Sequence, residues 1–139
     1  MSTKPIARPE LPVNMKLFTI EEANALLPSV RQILRRIQRS RQRISQYRNA
    51  AKLAAEGAEQ GGGGMEGGAL YATILTNFTE EIAELEALGV QLKDFDRGLV
   101  DFPSLREGRV VLLCWQLGEG DELEWWHDMD AGFGGRTPL

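Results

Sequence analysis

The chain contains one histidine and one cysteine, and both fall in its last third, within Leu113-Cys-Trp115 and Trp126-His-Asp128. An imidazole titrates near neutral pH and ligates metals, and a thiolate binds borderline-soft ions such as zinc. Their strands set whether they meet. If Arg109–Leu117 and Glu122–His127 pair across the turn Gly118-Glu-Gly-Asp121, Cys114 faces Trp125 and Leu112 faces His127, so Cys114 and His127 share one face of the sheet. A preceding hairpin that pairs Phe102 with Arg109 puts Asp101 on the same face, one strand over. Cys114 and His127 are therefore candidate metal ligands, in a zinc-like shell completed by the carboxylates of Asp101 and Asp130. No Cys-x-x-Cys or His-Glu-x-x-His spacing accompanies them, and a one-residue slip in the first loop would turn Asp101 away. The competing reading is structural: a histidine donating to a carboxylate or a carbonyl, and a cysteine acting as a small buried apolar group. No catalytic residue is assigned, and no cofactor is expected.

Asp101, His127, Asp130 and Arg136 also form a candidate set for a small-molecule or anionic ligand. The run Asp128-Met-Asp-Ala-Gly-Phe-Gly-Gly-Arg136 is a glycine-rich loop that could wrap an anion. Alternatively Arg136 forks onto Asp128 or Asp130 and pins the tail. A third set lies far upstream. Eight basic residues and no acidic one occur between Arg31 and Lys52, and Arg35, Arg36, Arg39 and Arg43 fall on the outer face of a helix. They are either a solvated face or a docking surface for an acidic protein partner, including the Glu-rich second helix of another copy.

The elements that must position these residues are legible. Thr19 followed by Glu22 is a capping box, with Phe18 ahead of it as a hydrophobic staple. Ile20, Ala23, Leu27, Val30, Leu34, Ile37, Ile44 and Ala51 continue in alternating steps of three and four, with Arg41 and Arg48 in the two missing places. This is a coiled-coil-like seam that predicts a helix over 19–56, kinked at Pro28. Gly57–Gly68 contains seven glycines and lacks the Gly-Lys-Ser/Thr ending of a phosphate loop, so it reads as a disordered link. The seam resumes at Tyr71, Leu75, Phe78, Ile82 and Leu85, predicting a helix over 69–88 stopped by Gly89. Residues 1–16, with Pro5, Pro9 and Pro12, read as a flexible tail.

Beyond Gly89 the composition turns to short β-branched and aromatic runs. Leu99–Phe102, Arg109–Leu117 and Glu122–His127 predict a three-stranded antiparallel β-meander over 92–127, with Leu92–Phe95 as lead-in and 128–139 as a C-terminal loop. The fold class is α+β: a long antiparallel helical hairpin packed on that meander, all in one domain over 17–139. The middle strand is apolar on both faces, and both need cover. That demand, with a first helix longer than the second, favours a homodimer.

At 139 residues the chain fits one ordinary domain. Its net charge of −4 argues against nucleic acid as a partner. No run of eighteen apolar residues exists to enter a membrane, and a lone cysteine suits a cytoplasmic setting.

Phe18-Thr-Ile-Glu-Glu-Ala-Asn-Ala-Leu-Leu-Pro28, Gly98-Leu-Val-Asp-Phe-Pro103, Gly108-Arg109, Leu113-Cys-Trp115, Trp126-His127 and Asp130-Ala-Gly-Phe-Gly-Gly-Arg136 together resemble a bacterial family of small domains of unknown function. Some of its members are loosely labelled division-protein-like because of the helical seam, an effect of coiled-coil similarity. The resemblance implies a helical hairpin followed by a small β region, and no activity or catalytic residue to carry over. The leading functional expectation is a non-enzymatic interaction or scaffolding module built on the basic first helix. The other is a small-molecule, anion or metal-binding protein, even a weak enzyme, with its site around His127.

Overall fold

A computed structural model describes residues 15–58 and 67–139. The expected tail over 1–16 and glycine link over 57–68 lie, except for their ends, outside the described residues. Helix α1, Ile20–Ala58, starts at the predicted cap. The Thr19 amide donates to Glu22 Oε1 at 3.0 Å and the Glu22 amide donates to Thr19 Oγ1 at 3.1 Å. These two hydrogen bonds hold the Glu22 carboxyl below the usual carboxylate range. Phe18 is buried beside the cap, its ring edge-on to Phe102 with centroids 5.4 Å apart. The 39 residues of α1 run through Pro28 without interruption, a length of roughly 58 Å at the usual helical rise.

Helix α2, Gly68–Ala87, has 20 residues and lies alongside α1 in the expected hairpin. Its inward face differs in detail from the apolar pattern. Ile74 is buried while Leu75 is exposed, and Glu81 is buried where Ile82 is only half-buried. On α1, Ser40 rather than Arg41 faces inward, and Arg41 instead reaches Asp96 at 2.9 Å. Gly89 ends the second helix at φ 89°, against Lys16, where any Cβ would lie 2.9 Å from the Lys16 Cβ.

The sheet has five antiparallel strands, not three, in the order β1 (Gln91–Asp94), β2 (Leu99–Arg106), β3 (Arg109–Gln116), β4 (Trp125–Asp128), β5 (Thr137–Pro138). The segment expected to be a lead-in is an edge strand, because Asp94 accepts the amides of Asp96 and Arg97 and turns the chain back onto β2. The fifth strand comes from the predicted C-terminal loop, whose Thr137 and Pro138 pair with Trp126 and Trp125. The first hairpin also differs. β2 continues through Pro103 to Arg106, and a two-residue turn, Glu107-Gly108, with φ 51° and 78°, joins it to β3. Two positive φ values are what a tight right-twisting hairpin requires. Pro103 is tolerated because β1 pairs only as far as Asp101, so the missing N–H interrupts no β1 ladder.

One sheet face carries Val100, Phe102, Leu113 and Trp115, which form the core with Leu27, Val30, Leu34, Ile37 and Leu85 of the hairpin. The opposite face carries Asp101, Leu112, Cys114 and His127, all buried, and residues 129–133 line a cavity with them. Cover for the second face, one of the two grounds for expecting another copy, is thus supplied by the chain itself. No described helix is long and apolar enough to cross a membrane.

Candidate metal centre

Three neighbouring strands deliver one side chain each. Asp101 of β2 is the direct cross-strand partner of Cys114 in β3, and His127 of β4 pairs with Leu112, two residues along the same face. Phe102 pairs with Leu113 instead of Arg109, a displacement of four residues along β3. An even displacement preserves the face, which is why Asp101 still arrives there. One ligand atom from each of Asp101, Cys114 and His127 lies within 4.8 Å of the other two. Their residues are 2%, 1% and 4% exposed.

Hydrogen bonds fix the imidazole. His127 Nδ1 lies 2.8 Å from the carbonyl oxygen of Asp128, and because a carbonyl only accepts, Nδ1 carries the proton. His127 Nε2 lies 3.1 Å from Asp101 Oδ1, so a single proton lies between these two atoms. The Cys114 thiol is pushed up to about 12, chiefly by burial and then by the neighbouring Asp101 carboxyl. Below that value the group is a thiol, not a nucleophilic thiolate.

The arrangement has the parts of a metal site. In tetrahedral zinc the bond lengths place ligand atoms roughly 3.3–3.7 Å apart, so drawing the three atoms in from at most 4.8 Å takes only small side-chain shifts. The Nδ1–H bond to the Asp128 carbonyl is the outer contact that orients a ligating histidine and fixes its tautomer. An ion held by these residues would displace the thiol proton and the proton between His127 and Asp101, since ligands bind deprotonated. A cavity of about 310 Å³, lined by Lys93, Asp130, Met129 and Phe133 besides the three candidate ligands, would give a fourth coordination position access to small molecules.

Asp130 is exposed at the rim of that cavity and outside the three-residue cluster. Arg136 is elsewhere. Instead of forking onto Asp128 or Asp130, its Nη2 reaches both Glu119 oxygens at 2.9 and 2.6 Å, and its guanidinium lies between the Trp125 and Phe133 rings at 4.8 and 4.6 Å. β5 sets Pro138 opposite Trp125, and the Arg136 side chain, two residues earlier, extends over the Trp125 ring to Glu119 in the β3–β4 connection, while Asp128 pairs with Arg109 at 3.1 Å. Of the helical arginines, Arg36 bonds Glu84 at 2.8 Å, and Arg35, Arg39 and Arg43 are exposed. Sequence reasoning missed Lys93, Glu81 and Glu119. Lys93 was visible only as an outward residue of an unrecognised strand, and the other two are ordinary acids until the packing selects them.

Fold and site together define an α+β protein in which a helical hairpin backs an antiparallel sheet and the far face of that sheet carries a buried Asp-Cys-His cluster. The chain belongs to an uncharacterised conserved protein family, DUF2203, whose family model matches residues 16–139. No curated protein and no solved structure matches it.

Proposed function

We propose that this domain, in the bacterial cytoplasm that its sequence implies, binds a divalent transition metal through His127 Nε2, Cys114 Sγ and an Asp101 oxygen. The observation that carries the reading is the convergence of these three donor types within 4.8 Å, on rigid strands, beside an open cavity. A nitrogen, sulfur and oxygen set suits zinc or another late first-row ion better than calcium or magnesium. Three protein ligands with a fourth position open to small molecules is the pattern of sites that act on a bound water or ligand rather than of purely structural ones. Lys93 and Asp130 at the cavity wall then offer one charge of each sign to whatever occupies that position.

The test is cobalt and zinc titration of the purified full chain. One ion per chain and a thiolate-to-cobalt absorption band are expected for the native sequence. Cys114→Ser should remove the band, and His127→Ala should abolish uptake with the far-ultraviolet circular dichroism unchanged. Uptake that survives His127→Ala, or none in the native chain, overturns the reading. A second reading, an interaction module on the basic helix, is favoured by the exposure of Arg35, Arg39 and Arg43.

A further inference from the structure

The helical hairpin contains a buried polar contact that the metal reading does not use. Glu81 is only 7% exposed, and its Oε1 accepts a hydrogen bond from Ser40 Oγ at 2.6 Å. Its other oxygen, Oε2, is buried with no hydrogen-bond partner among the described residues. A buried carboxyl oxygen without a donor is costly. The Glu81 residue lies in the wall of an open groove of about 310 Å³ between α1 and α2, which is also lined by Arg36, Arg39, Arg43, Glu80 and Glu84. Arg36 bonds Glu84, whereas Arg39 and Arg43 make no ion pair with any described residue.

The groove is charged asymmetrically across its width, with cations on α1 and carboxylates on α2. The contacts Ser40–Glu81 and Arg36–Glu84 fix the two antiparallel helices in height, so Arg39 and Arg43 stand level with the Glu80–Glu81 turn of α2. A twofold axis parallel to the hairpin exchanges left and right without changing height. It therefore sets α1 of one copy over α2 of the other, cations against carboxylates, twice over. Such a surface is complementary to itself, as an isologous interface must be, and the four helices form an antiparallel bundle.

We infer that a second copy of this chain docks on the α1–α2 groove through that twofold axis, with Arg39 and Arg43 of each copy facing Glu80, Glu81 and Glu84 of the other. The association is electrostatic and weakens as salt screens the charges.

The experiment is sedimentation of the full chain and two charge-reversed variants, Arg39→Glu/Arg43→Glu and Glu80→Lys/Glu84→Lys, each verified as folded by circular dichroism. The native chain is expected to be a dimer. In either variant alone, like charges meet across the axis, and the dissociation constant should rise by roughly a hundredfold or more. Mixing the two variants places reversed α1 over reversed α2 and native α1 over native α2, so a heterodimer should form from two monomers. A monomeric native chain, variants that dimerise as before, or a mixture that stays monomeric each overturn the inference. Because the metal ligands lie on the far face of the sheet, metal uptake should be the same in both variants, which separates this result from the fate of the metal site.

Discussion

Arg136→Ala should open the site without dismantling the core. The guanidinium lies between two aromatic rings and forks onto Glu119, and the two side chains are 11% and 17% exposed. Each ring contact contributes about 0.5–1 kcal/mol, and the charge-assisted hydrogen bonds about 1.5–3 kcal/mol. Allowing for residual hydration at these exposures, the substitution should cost about 3 kcal/mol. The loss should fall on the C-terminal segment, because Arg136 and the neighbouring β5 tie that segment to the β3–β4 connection and to β4. Residues 129–133, held in place by that tie, line the cavity over Cys114. A local opening made easier by 3 kcal/mol becomes roughly a hundredfold more populated. The assay is the rate at which a thiol reagent modifies Cys114 in mild buffer, set beside a urea unfolding curve. Cys114 reactivity should rise about a hundredfold in Arg136→Ala and less in Arg136→Lys, which keeps the charge but cannot fork. Unchanged reactivity, or a rise fully accounted for by global unfolding, would refute the tie between Arg136 and the cover of the site.

Two further outcomes follow from groups already described. Because burial raises the Cys114 thiol from its ordinary 9.0 to about 12, the folded state keeps a proton that the unfolded chain releases; stability is intact below pH 9 and falls by up to about 1.4 kcal/mol per pH unit as pH climbs toward 12. Urea midpoints across that range should show the decline, and Cys114→Ala should lose this component of it. Thr19→Ala removes one side of the reciprocal cap and should lower stability by about 1 kcal/mol, read from the same curves; no change would mean the helix start is held by Phe18 alone.

How much of this was visible beforehand depends on how local the deciding interaction is. The cap at Thr19 and Glu22 needs only neighbours, and the pairing of Cys114 with Trp125 needs only the turn and period-two alternation, so both are legible. Pro103 misleads, because a proline reads as the end of a strand unless the reach of the neighbouring strand is known. The second helix contains two interleaved heptads, one through Leu75 and Ile82 and one through Ile74 and Glu81. Apolarity alone selects the first, whereas Ser40 on the facing helix gives the carboxyl a partner and shifts the inward face toward the second. The Asp101-Cys114-His127 cluster was legible as an alignment on one face; that its atoms converge depends on all three strands holding register at once. The partner of Arg136 required the fifth strand, two residues long and without a pattern of its own.

The hydrogen bonds from Ser104 to the Phe18 carbonyl and from the Leu123 amide to Asn24 join residues 86 and 99 positions apart. Closing a loop of that size costs about 2 kcal/mol more conformational entropy than closing one of ten residues, whereas the Glu107-Gly108 turn lets β2 and β3 find each other locally. Folding should therefore have a preferred order. The β2–β3 hairpin should form before the capped end of α1, earliest in sequence, is fastened to the sheet. The rate of that last closure, rather than helix formation, should set how fast the chain reaches its native state.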